Sequence, residues 1–144
     1  MKLILNINKE NKEEKVEITA KENNNKIDQI VKICNSTDEK ILGYTDDSFK
    51  VLDENEICYF NIEDRKIYAN TKNEKYLVKK RLYEVEELLN NNFIKISQSA
   101  IINIKHVLKF ELSFNGTITC IFKNNTKEYV SRRFVPLLKK KLGI

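Results

Sequence analysis

Residues 91–111 read NNFIKISQSAIINIKHVLKFE. Asn90, Asn91 and Asn92 end a helical pattern, because short amides compete with the helical backbone for hydrogen bonds. Leu82, Val85 and Leu89 form the apolar face of that helix, with Leu88 beside them; Arg81, Glu84 and Glu87 fall opposite. Phe93–Ser99 and the apolar run Ala100-Ile101-Ile102 follow, and Val107–Leu112 reads as a strand. Downstream, Asn115-Gly116 and Asn124-Asn125 join strands at Thr117–Phe122 and Lys127–Val130, with Asn-Gly suited to a turn that needs positive φ. A last helix carries Phe134, Leu137, Leu138 and Leu142 on its apolar face. Pro136 belongs in a first turn, so regular helix is expected from near Phe134.

Upstream the chain is a meander of short strands. Ile41–Thr45 and Phe49–Leu52 make a hairpin, Glu56–Ile62 is a strand, and Asp64-Arg65 turns tightly into Lys66–Thr71. Lys72-Asn73-Glu74 turns again into Lys75–Lys79. Before this, Leu3, Leu5 and Ile7 alternate with Lys2, Ile4 and Asn6, and Val16, Ile18 and Ala20 with Glu17, Thr19 and Lys21, predicting two strands. Ile27, Ile30, Val31 and Cys34 have helical spacing. The expected organisation is a β-β-α segment over residues 1–44 and a mostly β domain over 45–144, an α+β fold.

Charge is unevenly spread. Residues 104–144 carry nine Lys/Arg against two Glu, so the net +5 is +7 here and −2 elsewhere. Such a field attracts polyanions, nucleic acid above all, although a solvated basic face has the same composition. Lys139, Lys140 and Lys141 suit the negative end of the last helix. Arg132 and Arg133 stand at its positive end, where local electrostatics disfavours cations; they serve either an external anion or as stems covering apolar groups.

A chain of 144 residues suits one domain with a small appendage and can bury a core without metal or disulfides. Cys34, Cys58 and Cys120 lie far apart in apolar runs and read as reduced core residues of a cytoplasmic protein. His106 alone supports no metal cluster. No run of residues is long and apolar enough to span a membrane, and MKLILNINKE turns polar too soon for a secretory signal. Phosphate-loop, zinc-protease and nucleophile-elbow motifs do not occur, and carboxylate pairs such as Asp46-Asp47 and Glu86-Glu87 read as solvated surface. No enzymatic activity, cofactor or small-molecule substrate is expected. Nothing matches the aromatic signature of a single-strand RNA platform.

The blocks ENEICYFNIEDRKIYANTKNEKYLVKKRLYEVEELL, NNFIKISQSAIINIKHVLKFE and NGTITCIFKNNTKEYVSRRFVPLLKK together resemble the LytTR DNA-binding domain over about residues 45–142. The most specific stretch is Phe93–Asn103, which follows F-x-[RK]-[IC]-x-x-S-x-[IV]-[IV]-N. The resemblance implies an elongated β fold that binds double-stranded DNA with loops entering successive major grooves. It also implies three contact regions. They are Arg65 and Lys66 after the third strand; Lys95, Ser97 and Gln98 before the motif serine; and Ser131, Arg132 and Arg133 before the last helix.

Head-group chemistry divides these residues. Arg65 and Arg133 can fork onto guanine, and Gln98 can pair with adenine. Lys66, Lys95, Ser97, Ser131 and Arg132 suit phosphates. Ser99 reads as a structural hydroxyl bonding the backbone, and Asn103 as a turn former. The 44 residues ahead of the module are too few for a receiver domain, so the chain resembles the small stand-alone members. For these the resemblance implies a transcription regulator, a homodimer, and a small multi-pass membrane protein as partner. The alternative is a protein-interaction module whose N-terminal segment docks a membrane or regulatory protein.

Overall fold

The computed structural model describes residues 2–35 and 39–144. The chain divides into two units, Met1–Ser36 and Thr37–Ile144. The first holds one helix, α1 (Asn25–Asn35). Asn24 caps it, its Oδ1 accepting from the N–H groups of Lys26 and Ile27 at 3.0 and 3.1 Å. Asp28 in the first turn and Lys32 in the last suit its dipole. Ile27 and Ile30 are half-buried, whereas Val31 and Cys34 are exposed.

The two strands expected ahead of α1 do not form: residues 2–24 carry no ladder. Leu3, Leu5, Ile7 and Val16 all remain more than 60% exposed. Alternation provides an apolar face but no cover for it, and an isolated pair of short strands is marginal in water. Cys34 likewise departs from the expected core position, while Cys58 and Cys120 are buried and all three thiols are free.

The second unit runs β1 (Leu42–Tyr44), β2 (Phe49–Val51), β3 (Ile57–Glu63), β4 (Lys66–Thr71), β5 (Lys75–Val78), α2 (Leu82–Leu88), β6 (Phe93–Ser97), β7 (Ala100–Asn103), β8 (Val107–Leu112), β9 (Ile118–Phe122), β10 (Lys127–Val130) and α3 (Val135–Leu142). The fold is α+β and mostly β. Seven strands form one antiparallel sheet in the order β2-β1-β5-β4-β3-β7-β6, and three form a second in the order β10-β9-β8.

Each face of the large sheet has its own core. On one face Phe60, Ile67, Ala69, Val78 and Ile101 pack with Leu82, Val85 and Leu89 from and just after α2. On the other, Tyr59, Ile94, Ile96, Ala100 and Ile102 pack with Ile118, Cys120, Phe122 and Val130 of the small sheet and Leu138 of α3. Tyr59 stacks on Phe122, ring centroids 4.6 Å apart. β3 serves both cores by the alternation of its side chains, and a bulge at Cys58 places two consecutive residues, Cys58 and Tyr59, on the small-sheet side. Leu137, expected on the buried face of α3, is 40% exposed; Val135 packs there instead.

Gly43 sits where the side chains of Leu52 and Tyr76 crowd in. A Cβ there would lie 2.6 Å from Leu52 and 2.8 Å from Tyr76. Asn103 is 1% exposed and does more than form a turn. Its Nδ2 donates to the Ile57 carbonyl at 2.9 Å, and its Oδ1 accepts from Lys105 N–H at 3.1 Å. It thereby ties β7 to the start of β3 and caps the 3-10 turn Ile104–His106.

Candidate nucleic-acid interface

The β3–β4 hairpin closes through two residues, Asp64 and Arg65, between the paired Glu63 and Lys66. Both turn residues have positive φ, 48° and 65°, as the mirror-image turn matched to strand twist requires. Left-handed backbone disfavours most side chains, so Arg65 is not what turn geometry alone would select. It is exposed, as is Lys66 beside it.

The β6–β7 hairpin also turns through two residues, Gln98 and Ser99, between paired Ser97 and Ala100. Ser97 Oγ accepts from Ser99 N–H at 3.1 Å, so the hydroxyl shaping this turn belongs to Ser97 rather than Ser99. Gln98 is exposed at the tip. Lys95 is set back from it, half-buried and opposite Ile101 on the α2 side of the sheet.

Two backbone bonds bring the three regions together. β3 and β7 are neighbours, and Ile62 N–H donates to Ser99 O at 2.9 Å. The Arg65 and Gln98 turns therefore lie side by side at one end of the sheet. β10 crosses the sheet: Glu128 meets Asn61 of β3, and Ser131 N–H donates to Ile96 O of β6 at 2.9 Å. That bond delivers the 3-10 turn Arg132–Phe134 to the β6–β7 end. Phe134 anchors it against the core, while Arg132 and Arg133 are exposed. Arg65, Lys66, Gln98, Ser131, Arg132 and Arg133 thus gather at one end; Lys95 stands behind them, and Ser97 is engaged in its turn.

None of the five cations Arg65, Lys66, Lys95, Arg132 and Arg133 forms an ion pair among the described residues. Glu63 and Glu128 nearby are restrained instead. Glu63 pairs with Lys75, whose hydrogen bond holds its carboxyl below the usual range, aided by Asn61. Asn70 Nδ2 donates to Asn61 Oδ1 at 2.8 Å, and Asn61 Nδ2 to Glu63 Oε1 at 3.2 Å. Burial pushes the Glu128 carboxyl up, against a hydrogen bond from Asn61, and the Glu63 charge raises it further. Asp64, exposed in the turn beside Arg65, forms no ion pair among the described residues and is the one carboxylate of the turn itself.

The sequence reading missed this support layer. Its only signal was that Asn61 and Asn70 stand in strands where apolar residues are usual. Burial pushes the Cys120 thiol up to about 12, far from the thiolate form. No group of His, Cys, Asp and Glu suited to a metal ion occurs among the described residues. Nor is any helix among them long and apolar enough to cross a membrane.

Comparison with known proteins identifies the family and the fold. The family model for the LytTr DNA-binding domain matches residues 47–143. An uncharacterized HTH-type transcriptional regulator of Staphylococcus aureus strain MRSA252 is 34% identical, over 100% of this chain and 99% of its own length. Its counterpart in strain NCTC 8325 is 33% identical over the same shares. The LytTr DNA-binding domain of a Bacillus cereus protein described as a methyl-accepting/DNA response regulator superposes with a TM-score of 0.70. That domain is 24% identical, with 74% of this chain and 99% of the other covered, and shows the shared fold. No two α-helices follow one another in this chain, so a helix-turn-helix pair has no counterpart among the described residues. The chain belongs to the LytTr DNA-binding domain family: it is a bacterial DNA-binding transcription regulator, not an enzyme.

Proposed function

We propose that the chain reads a specific sequence in double-stranded DNA through the three gathered turns. The observation carrying this reading is the convergence produced by the bonds Ile62 N–H to Ser99 O and Ser131 N–H to Ile96 O. Arg65 and Arg133 present planar forks to guanine edges, and Gln98 an amide to adenine. Lys66, Lys95, Ser97, Ser131 and Arg132 hold phosphates and set the register. Selection of duplexes from a random pool, followed by footprinting, tests it. A defined site is expected for the natural chain and none for a folded Arg65, Gln98 and Arg133 triple alanine variant. Equal affinity of both proteins for the selected site would sink the assignment.

The N-terminal unit supports a second element of this reading, homodimerisation in the cytoplasm on tandem sites. Its exposed Leu3, Leu5, Ile7 and Val16 favour a protein contact. Residues 1–44 carry eight basic and eight acidic side chains, so two copies do not repel. Sedimentation of the natural chain against a Leu5→Asp, Val16→Asp variant decides it: a monomer in both, on DNA as well as free, removes the dimer. Docking on a small membrane protein is the alternative use of the same surface.

A further inference from the structure

We propose that the end of the sandwich opposite the turns binds a small phosphate-bearing molecule. A cleft of about 310 Å³ opens there, lined by Cys58, Lys72, Lys105, His106, Lys123 and Asn124. Its lining has three ammonium groups and no carboxylate. The lysines come from three separate places: the β4–β5 turn, the 3-10 turn Ile104–His106 and the β9–β10 turn. Charges so far apart in sequence converge only through the fold.

The local geometry is held by the backbone. Lys123 N–H donates to His106 O at 3.0 Å, joining two of the turns. Lys105 N–H donates to the buried Asn103 side chain at 3.1 Å. His106 Nε2 lies 2.6 Å from Asn55 O. A carbonyl only accepts, so Nε2 carries hydrogen and the ring is fixed. Asn124 Oδ1 takes both the N–H and the hydroxyl of Thr126 at 3.1 and 2.6 Å, which leaves its NH₂ as a donor.

Lys75, Lys80 and Lys109 have carboxylate partners, whereas Lys72, Lys105 and Lys123 have none among the described residues. Ammonium groups gathered around a concavity without a counter-charge suit an oxyanion. The volume is at the lower end for small-molecule pockets and does not admit a duplex. The cleft lies five residues along β3 from Glu63, roughly 17 Å at strand rise, so DNA held by the turns leaves it open. This site stands independently of the assignment of the turns.

Titration of the full chain with inorganic pyrophosphate at fixed ionic strength, followed by calorimetry and amide chemical shifts, tests the proposal. Saturable one-to-one binding is expected, with shifts centred on Lys105, Lys123 and Asn124. A Lys72→Ala, Lys105→Ala, Lys123→Ala variant should bind about tenfold more weakly. The three side chains are exposed, so its thermal melt should match the natural chain. An Arg65→Ala, Arg133→Ala variant should bind pyrophosphate as the natural chain does. Absence of saturation overturns the proposal, as do shifts centred on Ser99 and Arg133, which would put the anion at the turns.

Discussion

The two halves of β3 are built differently. Ile57–Phe60 are buried between two cores, each residue at most 9% exposed. Asn61 is half-buried, Ile62 is 37% exposed, and the strand then runs out into Asp64 and Arg65. One half stabilises and the other presents. The continuity of the strand means that the buried half fixes where the presenting half stands. Recognition chemistry can therefore change at the turn without disturbing the core, and core damage should lower the amount of folded protein rather than its selectivity.

The largest effect that could break this separation is loss of Phe60, which is 0% exposed. Phe60→Ala should cost about 3–5 kcal/mol in urea unfolding. The fraction that remains folded should keep its DNA preference; a changed preference would mean that the halves are coupled. Arg133→Ala should do the reverse. It should leave the unfolding midpoint in place and narrow the gap between the selected site and random duplex by about 1–3 kcal/mol. Lys66→Ala should weaken both duplexes alike and flatten the salt dependence by about one unit.

Gly43→Ala sharpens the comparison from the core side. The added Cβ would press on Leu52 and Tyr76, and a loss of about 1–3 kcal/mol in stability is expected with DNA preference unchanged. Arg65→Gly probes the presenting side more finely. Removing a side chain from a backbone at φ 65° should raise stability by up to about 1 kcal/mol while selectivity falls. Loss of both would show that the arginine stem supports the hairpin.

The smallest effects concern the two carboxylates below the turns, whose signs oppose. Glu128 has a folded-state pKa raised by burial above 4.5, so its ionisation costs stability as pH rises through the folded value. Glu128→Gln should therefore stabilise the fold at neutral pH, and the gain should vanish below pH 4.5. Glu63 has a lowered pKa, so its contribution is present above 4.5 and fades as pH falls through the folded value. Glu63→Gln should cost stability at neutral pH and nothing in strong acid. Thermal melts of both variants across this range read the crossing directly.

Much of the second unit was legible because its signals were local. The Asp64-Arg65 turn, the strand Lys66–Thr71 and the apolar stripe Leu82, Val85, Leu89 each follow from spacing within a few residues, and each stands as read. The strands expected at Leu3–Ile7 and Val16–Ala20 used equally local signals but had nothing to cover them. Spacing cannot report a missing partner. The gathering of the Arg65, Gln98 and Arg133 turns at one end was not legible in the sequence. It depends on β10 crossing from β3 to β6, and no spacing encodes a crossing. The lysine cleft was invisible for the same reason.

The backbone at residue 65 also limits the evolutionary alphabet of the interface. A two-residue turn with positive φ at both positions admits Gly, Asn, Asp or His readily, a flexible unbranched chain such as Arg at some cost, and Val, Ile or Thr hardly at all. Gln98 is under no such requirement: positive φ outside glycine is confined to Asp64, Arg65 and Asn125 among the described residues. Related regulators on this scaffold should accordingly diversify more freely at position 98 than at 65. On the proposed reading of DNA by these turns, a change of preferred site is then more accessible through the β6–β7 turn than through the β3–β4 turn.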